Sequence, residues 1–395
     1  MTLATGAGGS LVDARAASDE EFRAEFRTWL ADNHPGRPPK GRLPALDWQR
    51  AFTARLYDAG RAMPSWPVEW GGMDLPLTRQ IIYHEEMARA RLVAQPTNNV
   101  GIVGPTLIRH GSAAQCERFL RRMVRADDLW CQGFSEPDAG SDLPSLNTAA
   151  ERDGEDYVVT GQKIWTSHAD VADWMFALVR TGPPGSRERG ITYLLIDMRS
   201  EGITVRPLRD LTGGSRFNEV FLDRVRVPAG QRVGEHNGGW PIARTSLGHE
   251  RSTAHSAAAV RYRRIVDELF ALARAGGLVS DPVVRQRLAE AETDVRLLIW
   301  GGMRMMAAVL ASGDPGPASS VTRLFHAGFE QRLHELALLV LGPNALLARG
   351  DPEAVEGGRW QWGFLTTRAS TIGAGTAEIQ RNTIAERVLG LPRDP

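Results

Sequence analysis

Three successive regions, helical, strand-rich and helical again, are predicted by this 395-residue sequence. Apolar residues recur every three to four positions as far as Met123, which is the helical period. From about Leu129 the period falls to two, and the apolar segments lie too close together for helices to fit between them. After Gly238-Gly239-Trp240 the helical period returns and holds almost to the end. Boundaries at 1–128, 129–239 and 240–395 follow from these changes.

In the first region Asp19 is placed to cap a helix whose Phe22, Phe26 and Leu30 share one face. A second helix is expected over Trp48–Ala59 and a third over Leu77–Arg91. Pro64–Gly72 (PSWPVEWGG) is too rich in Pro and Gly to be helix or strand. Two short helices joined at His110-Gly111 complete the region. Candidate strands are Leu129–Phe134, Tyr157–Thr160, Trp174–Thr181, Ile191–Asp197, Ile203–Leu208 and Glu219–Val227, each bounded by Gly, Pro or Asp. Strands so closely spaced predict an antiparallel sandwich or barrel. No GxGxxG follows a strand, which argues against a nicotinamide-binding sheet. The last region predicts helices over Pro241–Ala275, Asp281–Ser312 and Pro317–Leu341, with another beginning near Thr376. The stripes Leu288/Ala291/Val295/Leu298 and Leu333/Leu336/Val340/Leu341 have the spacing of a bundle core.

Composition narrows the class. Forty-seven basic residues balance 47 acidic ones, so the net charge is zero and no general attraction for nucleic acid is implied. Positive charge is carried by Arg, with lysine only at positions 40 and 163. Cys116 and Cys131 are too few for a disulfide framework. No apolar run approaches the ~18 residues that span a bilayer, and MTLATGAGGS lacks the regions of a signal peptide. A cytoplasmic protein without membrane insertion is the expectation.

Gln132–Thr148 (QGFSEPDAGSDLPSLNT), followed by Lys163–Ser167 (KIWTS), carries the chemistry. Ala139 and Gly140 permit close backbone approach, Ser141 can donate to a phosphate oxygen, and Trp165 offers a flat face. Together they suit a wall for a flat ring carrying phosphates.

These segments, with WPVEWGG, EEMAR (Glu85–Arg89), NEVFLDRVRVP, GGWPIARTSLGHERS and IGAGTAEIQRNTIAERVLGLPR, occur in the order seen in the acyl-CoA dehydrogenase family, which the chain resembles over nearly its whole length. The resemblance implies an α-helical N-terminal domain, a central antiparallel β-domain and a C-terminal four-helix bundle. It implies FAD as cofactor, with Phe134 (through its backbone) and Ser135 at the pyrimidine edge and Ser141 near the pyrophosphate. Trp165 would lie beside the isoalloxazine and Ser167 near N5, with Gly140, Thr166 and Thr376 completing the cofactor contacts. Arg251 and Gly375 would face the substrate.

The implied reaction converts an acyl thioester to its 2,3-enoyl form: a base removes the Cα proton and the Cβ hydride passes to flavin N5. Many members carry the base two residues before the Thr of the last motif, where this chain has Ala374. A minority, including isovaleryl-CoA and long-chain dehydrogenases, place it on the first long helix of the last domain. That position here is Glu250, in SLGHERS. Glu250 is therefore expected as the base, with its pKa raised by burial between flavin and acyl chain. The Ala374 backbone N–H is left as a donor to the thioester oxygen. His249 and His255 are six residues apart, which is not HExxH spacing, and no metal is expected. A Gln-x-x-Gly-Gly-x-Gly loop that binds FAD across subunits in many members is replaced here by Leu339-Val-Leu-Gly342-Pro-Asn344. Expected partners are a CoA or acyl-carrier-protein thioester, an electron-transfer flavoprotein, and other subunits as a homodimer, homotetramer or heteromer. Rival expectations are an oxidase or monooxygenase on the same fold, and a non-catalytic subunit of a heteromer.

Overall fold

The structure is a computed structural model describing residues 18–97, 99–252, 255–312, 316–317 and 319–392. The side chains of residues 249–252, 255–257 and 312 also lie outside the described set. Contacts within the chain define two compact units: the described part of Met1–Pro96 with Leu120–Asp127, and Thr97–Phe119 with Asp128–Pro395. The two short helices around His110-Gly111 thus fall largely in the second unit.

The first unit is built on α1 (Asp19–Asp32), α2 (Arg42–Asp58) and α3 (Leu77–Arg89). Ser18 is the cap of α1, not Asp19: its hydroxyl accepts from Glu21 N at 3.2 Å while Glu21 Oε2 accepts from Ser18 N at 2.7 Å. This reciprocal box satisfies two end donors, which Asp19, already inside the helix, does not do. Phe22, Phe26 and Leu30 are buried, with Phe26 stacked on Tyr83 at 4.7 Å. Glu86, buried in α3, accepts from Arg27 at 2.8 and 2.9 Å and from Arg23 at 2.9 Å.

The second unit opens with α4 (Val100–His110) and α5 (Ala113–Arg125), whose last residues belong to the first unit. Eight strands follow: β1 (Trp130–Gly133), β2 (Ala149–Asp153), β3 (Asp156–Lys163), β4 (Trp174–Arg180), β5 (Ile191–Asp197), β6 (Ile203–Leu208), β7 (Phe217–Val227) and β8 (Arg232–Val233). They form one sheet in the order β6-β7-β3-β2-β4-β5-β8, with β1 beside β4. Most pairs are antiparallel; β1 and β2 each run parallel to β4. Residues 174–179 and 191–196 are buried throughout, the mark of strands covered on both faces. A bulge between Val159 and Gly161 brings β3 against Thr148, where a Cβ on Gly161 would lie 2.6 Å from Thr148 Cα.

The remaining helices are α6 (Gly239–Ser252), α7 (His255–Ala275), α8 (Pro282–Ser312), α9 (Ser319–Leu341), α10 (Arg359–Thr367) and α11 (Ala377–Thr383). Both leucine-rich stripes are buried, packed with Tyr262, Val266, Phe329 and Trp360 into one core of α7–α10. On α8, Leu297, Trp300, Met303 and Leu310 recur at helical spacing and are exposed. No helix among the described residues is long and apolar enough to cross a membrane. Cys116 and Cys131 are free and buried.

Candidate active site

The loop leaving β1 is tied to the end of β3 by a buried ion pair. The ammonium of Lys163 donates to Glu136 Oε1 at 2.7 Å, Leu178 O at 2.7 Å and Phe134 O at 3.3 Å, which uses all three of its donors. Glu136 also accepts from the backbone of Asn147 at 2.6 Å and Thr148 at 2.9 Å. Burial pushes the Glu136 carboxyl up, but Lys163 and the three donated bonds outweigh it and hold it below the usual carboxylate range. Burial also pulls Lys163 down against the attraction of Glu136. Every polar group of the pair is satisfied, so it fixes the loop's path.

On this frame the two sequence-predicted segments come together. Ser135 O accepts from Ile164 N at 3.0 Å, bringing the two motifs side by side. The Phe134 ring is core, edge-on to Phe176 and Tyr193. Trp165 sits at φ 59°, a left-handed conformation rare for a bulky residue, and its side chain is 60% exposed. Its ring meets Phe217 edge-on at 6.0 Å and leaves a flat face uncovered. Thr166 exchanges backbone hydrogen bonds with Asn218 at 3.0 Å each way, and Asn218 Nδ2 adds a third at 2.9 Å. The Thr166 hydroxyl is nevertheless buried with no partner among the described residues. Gly140 and Ser141 are exposed, and a Cβ on Gly140 would meet nothing within 4 Å. An uncovered indole held off the sheet by a strained backbone, beside an orphaned buried hydroxyl, fits a flat cofactor with polar edges.

Helix α6 is clamped by hydroxyls. Thr106 donates to Ile102 O at 2.8 Å, so Ser246, 2.8 Å away, donates to Thr106. The Tyr193 hydroxyl, 3.2 Å from Ser246, then donates to Ser246, and His110 meets Thr245 at 2.9 Å. Glu250 follows Ser246 by one helical turn, in the last turn of α6. The side chains of Glu250 and Arg251, and of His249 and His255, lie outside the described residues.

The third part is the turn before α11. Ala374 (φ 54°) and Gly375 (φ 90°) are both left-handed. Their carbonyls accept from the buried Gln380 side chain at 3.3 Å each. At Gly375 the φ of 90° favours glycine, and a Cβ there would also sit 2.6 Å from Gln380 Nε2, so the Gln380 amide would have to shift. Thr376 is the cap of α11, accepting from Ile379 N at 3.3 Å. Ala374 and Gly375 are exposed, and their N–H groups donate to nothing among the described residues. In the altered loop, Gly342–Leu346 forms a 3-10 turn whose Asn344 O accepts from Gln361 at 2.9 Å.

Phe134, Ser135, Gly140, Ser141, Trp165, Thr166 and Ser167 are thus gathered at one end of the sheet, and Ala374, Gly375 and Thr376 at the start of α11. Arg216, next to Phe217, links sheet and bundle through Trp362, with its guanidinium 5.7 Å from that ring. Sequence reasoning missed the Lys163–Glu136 pair and the Thr106–Ser246–Tyr193 relay. A lysine opening KIWTS in a chain with only two lysines was a signal for the first; the second left none.

Three domain profiles match consecutively: acyl-CoA dehydrogenase N-terminal domain (residues 16–127), middle domain (131–225) and C-terminal domain (237–389). Among curated proteins the chain is similar to the acyl-CoA dehydrogenase IpdE1 of Mycobacterium tuberculosis. The two are 40% identical over 392 residues, covering 95% of this chain and 98% of the relative. Among solved structures it resembles the ChsE4-ChsE5 complex from Mycobacterium tuberculosis, with TM-score 0.83, 32% identity, and 95% and 98% of the two chains covered. It also resembles the Tcur3481-Tcur3483 steroid ACAD, with TM-score 0.83, 29% identity and the same coverages. The profiles, the relatives and the three-part architecture agree: this chain belongs to the acyl-CoA dehydrogenase family, oxidoreductases acting on CH–CH bonds.

Proposed function

We propose that the chain performs FAD-dependent α,β-dehydrogenation of a bulky, steroid-type acyl-CoA, with Glu250 as the base. The observation that carries this reading is the Ala374 turn. No carboxylate stands at that position, yet the backbone there is held left-handed, at an exposed residue whose N–H donates to nothing among the described residues. Such a donor suits a thioester oxygen, and its strengthening bond as negative charge develops favours loss of the Cα proton. The proton acceptor then has to come from elsewhere, and Glu250, at the end of the clamped α6, is the candidate. Trp165 and the Thr166 and Ser167 hydroxyls would hold the ring of FAD, with Ser135 at its edge and Gly140, Ser141 and Thr376 toward its phosphates. FAD, when bound, supplies the acceptor for the two electrons of the Cβ–H bond, and an electron-transfer flavoprotein would collect them. Arg251 and Gly375 are assigned to the substrate.

The steroid class rests on the name carried by one of the similar structures. That name and the ChsE4-ChsE5 complex both denote pairs of chains. With the altered Gly342 loop and the exposed apolar stripe of α8, they support a second, different chain as partner. A protein colourless when purified alone, becoming yellow with that partner, is the outcome this arrangement predicts.

Trp165→Ala should change stability by no more than about 0.5 kcal/mol, because an exposed ring contributes little to the core. Flavin content per chain should fall nonetheless. Equal flavin content with a large drop in melting temperature would make Trp165 a packing residue instead. The reading as a whole is tested by anaerobic visible spectra of the flavin-loaded protein, titrated with straight-chain, branched and steroid-type acyl-CoAs. Bleaching by the steroid-type thioester is expected; a loaded protein that no thioester bleaches would overturn the reading.

A further inference from the structure

We infer that Arg323 is a positioning residue for the thioester: it sets the direction and donor strength of the Ala374 N–H. The inference rests on the proposed function, which places the substrate oxygen at that N–H.

Arg323 lies in α9, and its Nη2 donates to Ser370 O at 2.7 Å and Gly373 O at 2.6 Å. The second bond matters most. The Gly373 carbonyl and the Ala374 N–H belong to one peptide unit, which is planar and trans, so they point in opposite directions. A guanidinium anchored on the carbonyl therefore aims the N–H away from α9. The next peptide is held in the same manner, because Gln380 Nε2 reaches the Ala374 carbonyl at 3.3 Å. With both carbonyls occupied, rotating either peptide breaks a bond. That explains how a non-glycine residue is kept at φ 54°.

The cation also polarises the unit. A charge-assisted bond to the carbonyl withdraws electron density through the amide and makes the N–H a stronger donor. Two further residues of α9 brace the same segment. Ser370 Oγ donates to Glu330 Oε2 at 2.6 Å, and Gln331 Nε2 donates to Thr367 O at 3.1 Å and lies 3.3 Å from Thr371 Oγ1. Neither touches the peptide joining residues 373 and 374. Arg323 is thus distinguished from its neighbours on α9 by what it holds.

The test uses cinnamoyl-CoA, a product-like enoyl thioester with no saturated Cα–Cβ bond to oxidise, labelled with carbon-13 at its carbonyl. Infrared difference spectra of flavin-loaded wild type should show the carbonyl stretch lowered on binding. Arg323→Ala should lose most of that shift, and its kcat should fall about 10–100-fold, part of what removing a whole oxyanion donor costs, with a smaller change in KM. Arg323→Lys keeps a cation and should recover part of both, and it stands in if the alanine variant does not fold. Gln331→Met should keep the wild-type shift. An unchanged shift in Arg323→Ala, or an equal loss in Gln331→Met, would overturn the inference and leave the proposed function standing. No shift in wild type itself would overturn the placement of the thioester, and this inference with it.

Discussion

Glu250→Gln should lower kcat by about 10²–10⁴-fold, the usual contribution of a positioned general base. KM should change little, because the amide has the shape of the carboxylate and the acyl group keeps its contacts. The acidic limb of the kcat profile, where the base becomes protonated, should vanish with it. Binding should survive too: cinnamoyl-CoA should perturb the flavin spectrum of the variant as it does that of wild type. A variant that retains wild-type kcat and the same profile would place the base on another residue. One that fails to bind the thioester would give Glu250 a structural role.

The second large effect concerns stability. Lys163→Met should cost about 3–5 kcal/mol, the range for removing one partner of a buried ion pair. The methionine leaves Glu136 buried without its ion-pair partner, with only the more distant Arg180 and two backbone N–H donors near it, and the carbonyls of Leu178 and Phe134 lose their donor. The pH dependence should change direction. In wild type the Glu136 pKa lies below its ordinary value of 4.5, so its stabilisation is present above that value and is lost as pH falls through the folded-state pKa. Without Lys163, burial dominates and raises the pKa, so acidification from neutral pH relieves the variant by protonating Glu136. Chemical denaturation at two pH values reads this: the deficit relative to wild type should shrink at the lower pH. Lys163→Met combined with Glu136→Gln should recover part of the loss, because the buried charge is gone. A deficit independent of pH and unrelieved in the double variant would mean that the pair is not coupled in this way.

How much of this was legible in the sequence varies with the physics. Long apolar stripes read well, because burial repeats with the helical period. Both stripes of the bundle, the face of α1, and the strands at Ile191–Asp197 and Ile203–Leu208 are found where expected. Strand β2 was missed because of its residues only Ala150 is buried, so no alternation shows. Strand β8 has two residues, too few for any period. Helix α10 hid because its core contact is carried mainly by Trp360, behind the glycines at 357 and 358. Ser18 and Asp19 are both good caps, and only the bond to Glu21 N decides between them.

The Gln132–Thr148 and Lys163–Ser167 segments could be singled out because Trp165, Gly140 and Ser141 differ from their surroundings in local chemistry, and the bond from Ile164 N to Ser135 O sets the two side by side. Lys163, Ser246 and Arg323 act through partners 27, 140 and 50 positions away, which no local pattern encodes. Thr376 shows the limit of reading one residue at a time. Its hydroxyl caps α11 by accepting from Ile379 N, and that bond neither requires nor forbids a cofactor phosphate nearby. A donor role for the Ala374 N–H toward the thioester was an expectation drawn from the last motif, where many family members carry the base. The anchoring of that N–H through Gly373 O became visible only with the fold.

In the proposed chemistry Glu250 removes the proton while Ala374 contributes only its backbone. The most direct measurement is the anaerobic rate of flavin bleaching after rapid mixing with a steroid-type acyl-CoA, for wild type and Glu250→Gln side by side. Fast bleaching is expected in wild type and almost none in the variant, although both bind the thioester. Equal bleaching rates in the two proteins would contradict it.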